Sequence, residues 1–297
     1  MLKFLRKKEQ IVSPGWQYFM RNSDKYASIF HQIENSCSDC YDTQENIVWQ
    51  MWWQGVDAIP TLVRKCMDTC DRNLPNNYQR IVITQNNYSD YLTIPEGMMT
   101  KFRDGKISIT HLSDYIRVSL LLNSGGIWAD ATLFFSSPIP QDVLKSRLFY
   151  FQSPSWLLGI DSLSLDNAIA YASLPSSIGT IHSGSSWFVH AKTNNNLLKS
   201  AKLILEKYWE TEDSLVDYYL FHCALSWSIL NCKKCKAEYI AMPRYANIEP
   251  HLLQFSLMNN RRAIPELLKL AFCHKLTWKS KIFNRNERDI LALLNSC

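Results

Sequence analysis

Glycine is scarce in this 297-residue chain, nine in all, which excludes collagen-like and low-complexity architectures. No uninterrupted apolar run approaches the ~20 residues that cross a bilayer. The opening MLKFLRKKEQIVSPG is basic but lacks the apolar stretch of a signal peptide. A cytoplasmic protein is therefore expected. There is no Gly/Ser linker and no internal repeat. The cysteine count of nine is odd, and without a secretion signal it argues against a disulfide framework.

What is present is a core-forming composition, 46% hydrophobic and 20% charged, enough for a real interior. Fourteen Tyr, thirteen Phe and ten Trp suit either that interior or the stacking of sugars and bases. The net charge of +5 is unevenly placed. It gathers in MLKFLRKK and around Lys275, Lys279, Lys281 and RNERDILALL. Such clusters suit phosphates or an anionic membrane surface, with solvated lysines as the plain alternative. Leu2, Phe4 and Leu5 among the N-terminal basic residues would let that end touch a membrane. Nucleic acid is not expected, because no binding module accompanies the charge.

Two pairs have C-x-x-C spacing, Cys37 with Cys40 and Cys232 with Cys235. Together they would make a four-thiolate zinc site. They lie far apart in the chain with no other zinc-module feature, so reduced, independent cysteines are the better expectation. Cys66 and Cys70 stand one helical turn apart and read as packing.

Residues 1–46 read as a polar, partly helical lead-in. ENIVWQMWWQG reads as a buried strand closed by Gly55, and AIPTLVRKCMDTCDRN as a helix entered at Pro60. QRIVITQNN is a second strand. Strand, helix and strand in that order predict a parallel sheet with crossover helices. ISITHLSDYIRVSLLLNSGG is a helix capped by Gly125, with Asp114 and Arg117 on one face. IWADATLFF is expected as one strand, with LFYFQ (148–152) and SSWFVHA (185–191) as two more. Beyond 191 the pattern turns helical in NNNLLKSAKLILEKYWE, DSLVDYYLFHCALSWSIL, IPELLKLAF and RDILALLNS. An α/β core over 47–190 with a helical part of the same domain over 191–297 accounts for this order.

Ligands collect at the carboxyl ends of parallel strands, where Asp130 is expected. A carboxylate there suits a divalent cation on phosphate oxygens, with Asp114 and Arg117 beside it to hydrogen-bond sugar hydroxyls. The plain alternative is a helix-surface ion pair and an acid that merely ends a strand.

The combined pattern is more specific than its parts. Ser113, Asp114 and Arg117, then Gly125, Gly126, Ile127, Trp128 and Asp130, resemble glycosyltransferases with a D-x-D sugar-binding region. The nearest likeness is to the capsular polysaccharide synthesis branch. IVWQMWWQG, SSWFVHAK, DYYLFH and HKLTWK are similar to further segments of that branch, so the likeness spans about residues 47–279.

The resemblance implies a GT-A-type mixed sheet flanked by helices. It also implies retaining transfer of a sugar from a nucleotide donor, UDP preferred, to a growing capsular or lipid-linked glycan. It implies Mn²⁺ or Mg²⁺ held by Asp130, Thr132 and His274. Trp52, or else Trp49, would stack on the base. Asp114, Arg117, Gly125, Gly126 and Lys275 would bind the donor, and Asp130, Asp114 and Arg117 would serve catalysis. Asp217, His222 and Trp187 fall on the acceptor side, with internal hydrogen bonding the alternative for Asp217 and His222. The departure is Thr132, which stands where D-x-D has its second acid. A hydroxyl is a weaker ligand for a hard cation, and this motivates a second reading, a sugar-nucleotide or glycan-binding subunit without turnover.

Overall fold

The computed structural model describes residues 13–36, 46–153, 183–258 and 263–278. Two helices open it, α1 (Pro14–Arg21) and α2 (Ser23–Asn35). Ser13 caps α1 by accepting from Trp16 N, and Pro14 takes the first turn, where its missing N–H costs nothing. Their apolar positions are not a lead-in surface. Trp16, Phe19, Tyr26 and Ile33 are buried in the main core.

Strand β1 (Ile47–Met51) leads to α3 (Thr61–Asn73) and β2 (Gln79–Ile83), followed by α4 (Glu96–Arg103), α5 (Ile109–Ser124) and β3 (Gly126–Ala129). Then come β4 (Leu133–Phe135), α6 (Gln141–Lys145), β5 (Leu148–Gln152) and β6 (Gly184–Ala191). The rest is helical but for one short strand: α7 (Asn196–Thr211), α8 (Leu220–Asn231), α9 (Lys233–Ala241), α10 (Glu249–Met258), α11 (Ile264–Leu267) and β7 (Cys273–Lys275).

The five-stranded sheet has the order β2-β1-β3-β6-β5. β1 is parallel to β2 and β3, and β6 runs against both β3 and β5, so four of the five strands point one way. The architecture is mixed α/β, a mostly parallel sheet flanked by helices, as the strand–helix–strand order predicts.

Strand alternation divides the interior between the two faces. Trp49 and its register partner Trp128 turn to the face covered by α5, in the core that α7 and α8 complete. Val48 and Ile127 turn to the other, against Phe149, Phe188 and Phe272. Cys66 and Cys70 are buried packing residues on α3.

Three expected elements differ. IWADATLFF is two strands: β3 joins the main sheet, whereas β4 pairs with β7 in a separate antiparallel ribbon. The chain turns between them, Leu133 N donating to Asp130 O at 3.0 Å, so the break falls on Asp-Ala-Thr. DSLVDYYLFHCALSWSIL becomes helical only at Leu220. Asp217 Oδ1 accepts from Tyr219 N at 2.9 Å and Oδ2 from Gly15 N at 2.9 Å, local bonds that compete with a helix start. IPELLKLAF keeps a single helical turn, and the carbonyls of Leu268 and Ala271 both lie 2.9 Å from Ser136 Oγ, sharing its single O–H, as the chain leaves for β7. The expected helix in RDILALLNS, the basic N-terminus, and Cys37 with Cys40 lie outside the described residues. Cys232 and Cys235 are both buried.

Candidate functional site

A cleft of about 910 Å³ opens at the carboxyl ends of β1 and β3. Because β6 runs the opposite way, its first residues, Ser185 to Trp187, reach the same place. Trp52 and Trp53 follow β1, Asp130 to Thr132 follow β3, and Ser113, Asp114 and Arg117 enter from α5. Tyr218, Tyr219, His222 and His251 form the far wall. The position is where parallel sheets bind ligands.

Four charged side chains meet in one corner. Arg117, 4% exposed in its side chain, pairs through Nη1 with Asp114 and through Nη2 with Asp130 Oδ1 at 3.4 Å. Its guanidinium lies 4.8 Å over the Trp128 ring, with Phe221 at 5.7 Å, a planar fork held by stacking as well as charge. Trp128 Nε1 donates to Asp130 Oδ1 at 2.9 Å. Lys275 donates from Nζ to Asp130 Oδ2 at 2.6 Å and to Thr132 Oγ1 at 2.7 Å. The β4–β7 register makes this contact, since Lys275 lies opposite Leu133.

The two acids are shifted in opposite directions. Burial tends to raise Asp130, but the Lys275 ammonium, then the Arg117 guanidinium and the bonds from Lys275 and Trp128, hold it below the usual carboxylate range. Burial pushes Asp114 upward against the pull of Arg117. Asp130 is thus held firmly as an anion, while Asp114 depends on its pairing with Arg117.

Asp130, Asp114, Arg117, Thr132, Lys275, Trp52, Trp187 and His222 all line the cleft. Trp52 donates from Nε1 to Ala58 O at 3.1 Å and meets Trp278 edge-on at 5.7 Å, which leaves an aromatic pair at the rim. Five expected site residues stand elsewhere. Trp49 is 1% exposed, with its indole donating to Gly125 O at 3.0 Å, so it offers no face to a base. Gly125 and Gly126 sit at the opposite end of β3 from Asp130, where they turn the chain out of α5. Asp217 holds the first turn of α1 and does not line the cleft. His274, fully buried, faces away from Asp130 by strand alternation and meets Ser136 Oγ at 3.1 Å through Nε2.

The expected divalent cation therefore does not fit this donor set. Both oxygens of Asp130 already receive donors, the Thr132 hydroxyl is engaged by Lys275, and His274 points elsewhere. Among the described residues, no group of three or more His, Cys, Asp or Glu is gathered to hold a metal ion. Sequence reasoning missed Tyr218, Tyr219, His251 and Trp278 as cleft residues. Aromatic clustering in DYY and LTW was the available signal, but nothing local tells a cleft wall from a core.

Among the described residues no helix is long and apolar enough to cross a membrane. No curated protein matches the chain. The sheet, the cleft and the acid–base corner belong to a sequence that a family model covers from residue 4 to residue 292, and on that match the chain belongs to the capsular polysaccharide synthesis protein family.

Proposed function

We propose that the chain is a retaining glycosyltransferase of GT-A type that moves a sugar from a nucleotide donor, UDP-linked by preference, to a growing capsular or lipid-linked glycan. Membership of the family gives a role in capsule polysaccharide synthesis, and the enzymatic reading goes further. The observation that carries it is Asp130, at the carboxyl end of β3, held by Lys275, Arg117 and Trp128 at the floor of an aromatic-walled cleft.

The chemistry follows from that corner. The bond from the anomeric carbon to the donor phosphate breaks, and the leaving diphosphate gains negative charge. Lys275 and Arg117 stabilise this charge better in the transition state than in the ground state. The anomeric carbon becomes cationic beside the Asp114–Asp130 pair. The acceptor hydroxyl attacks from the face the diphosphate leaves, and the departing phosphate oxygen takes its proton. Retention then needs no protein nucleophile. Trp52 and Trp278 suit the base, and Trp187, Tyr219 and His222 the acceptor. The basic N-terminal segment would hold the enzyme at the inner membrane face.

Incubation with a panel of UDP- and GDP-sugars, scored by release of nucleoside diphosphate, tests the proposal. One donor is expected to be consumed and Asp130→Ala to abolish consumption. Tight donor binding without turnover would favour the reading as a non-catalytic sugar-nucleotide-binding subunit, which Thr132 motivates. No consumption together with no binding would sink both.

A further inference from the structure

The corner that a divalent cation was expected to occupy is filled by an ammonium. Lys275 spends two of its three N–H donors on Asp130 Oδ2 and Thr132 Oγ1. The other oxygen of Asp130 takes Trp128 Nε1 at 2.9 Å and Arg117 Nη2 at 3.4 Å. A hard cation prefers six or more oxygen ligands for Ca²⁺, or near-octahedral oxygen geometry for Mg²⁺. This corner would have to surrender its lysine to supply even two protein oxygens.

Charge counting points the same way. Asp114 and Asp130 are matched one for one by Arg117 and Lys275. A second acid at position 132 would leave the quartet one negative charge in excess and call for a metal. Thr132 leaves it balanced, and its hydroxyl steers the lysine instead.

We propose that the Lys275 ammonium is the fixed cation of the diphosphate site, standing in the place of a divalent metal, so that nucleoside diphosphate binding does not require one. This rests on the donor-site reading above. Asp130 and Thr132 are then positioning residues for Lys275, and the third N–H of the ammonium is the donor to a phosphate oxygen. Long charge-assisted reach from a strand end suits this task, because the lysine enters from β7, which also pairs with the strand directly after Thr132.

Calorimetric titration of the full-length protein with UDP and GDP, once in EDTA and once in Mn²⁺, tests the proposal. One nucleotide is expected to bind with dissociation constants within about twofold in the two buffers. Lys275→Met should weaken it about tenfold to a hundredfold, the worth of a hydrogen bond to a charged group. Lys275→Arg should restore part of that loss. Thr132→Val, which removes only the steering hydroxyl, should weaken binding a few-fold and guards against a Lys275 variant that fails to fold. The free Mn²⁺ resonance in electron paramagnetic spectra should stay undiminished when protein and nucleotide are added.

Binding seen only with Mn²⁺, or a resonance quenched by wild type and recovered in Asp130→Asn, would overturn the lysine's role and leave the donor site standing. Failure of both nucleotides in both buffers, with no nucleotide-sugar consumed, would overturn the donor site and this inference with it.

Discussion

Trp128 and Asp130 stand two residues apart, and the indole of the first donates to the carboxylate of the second at 2.9 Å. Strand alternation puts both side chains on one face, the face that α5 covers with Arg117. Trp128 thus serves Asp130 twice, as a hydrogen-bond donor and as the ring under the guanidinium that pairs with it. Trp128→Phe keeps a ring and removes the donor. Donor kcat/KM is expected to fall about tenfold, as for loss of a bond to a charged acceptor. Steady-state kinetics on the donor identified by the panel would check this, and an unchanged kcat/KM would remove Trp128 from the machinery.

Arg117 is the hub of the corner, and its loss strands the buried Asp114, whereas Asp130 keeps Lys275 and Trp128. Arg117→Met, which keeps the stem, is expected to cost about 3–5 kcal/mol of stability. Adding Asp114→Asn should return part of that cost, because the remaining burden is an uncompensated charge and not lost packing. Urea unfolding of the single and double variants measures both, and equal midpoints for the two would contradict the account.

Much of this site was legible because its parts lie close in sequence. Asp114 and Arg117 share a helix face, and Gly125 with Asp130 brackets one short strand. Lys275 could be placed only through family resemblance, since it reaches Asp130 across the β4–β7 register. The glycines misled in one respect: a Gly-Gly turn beside a sugar-binding motif suggests ligand contact, yet the strand it starts carries the chemistry at its far end. Trp49 misled for a related reason. Alternation along β1 turns it inward while Trp52, past the strand end, escapes the core. The split of IWADATLFF was not legible either, because its apolar residues read as one run, and only pairing partners distinguish two sheets.

Gly125 has φ 69° and ψ −157°, backbone that essentially only glycine adopts without strain. Its carbonyl also receives the Trp49 indole. Gly125→Ala is expected to destabilise the fold by about 1–3 kcal/mol, and Trp49→Phe by about 1 kcal/mol through the lost hydrogen bond. Both should shift the urea midpoint without changing the slope. A Gly125→Ala variant as stable as wild type would mean that the turn relaxes, and the placement of β3 would need another cause.

Two fully buried histidines dominate the fold's response to acid; His251 is also depressed to about 4 but is exposed, so solvent screening shrinks its share. Burial depresses His190 to about 3, with Lys192 adding to the effect. Burial likewise depresses His274 to about 4, against the pull of the Leu268 and Ala271 backbone. Both rings are fully buried. Each is neutral in the folded state, whereas in the unfolded chain each takes a proton near the ordinary histidine value. Stability is therefore whole above about pH 6.5 and falls as pH drops below it, by about 3–4 kcal/mol in all between pH 6 and 4.5. Asp130, held below the ordinary carboxylate range, adds a loss of the same sign at still lower pH. His274→Gln cannot take the proton in either state, so its stability should decline about half as steeply as that of wild type. Urea midpoints at pH 7.5, 6 and 5 would show this as diverging curves. Parallel curves would mean that His274 is protonated in the folded state. The ring would then be a solvated base, and its orientation away from Asp130 would lose its energetic support.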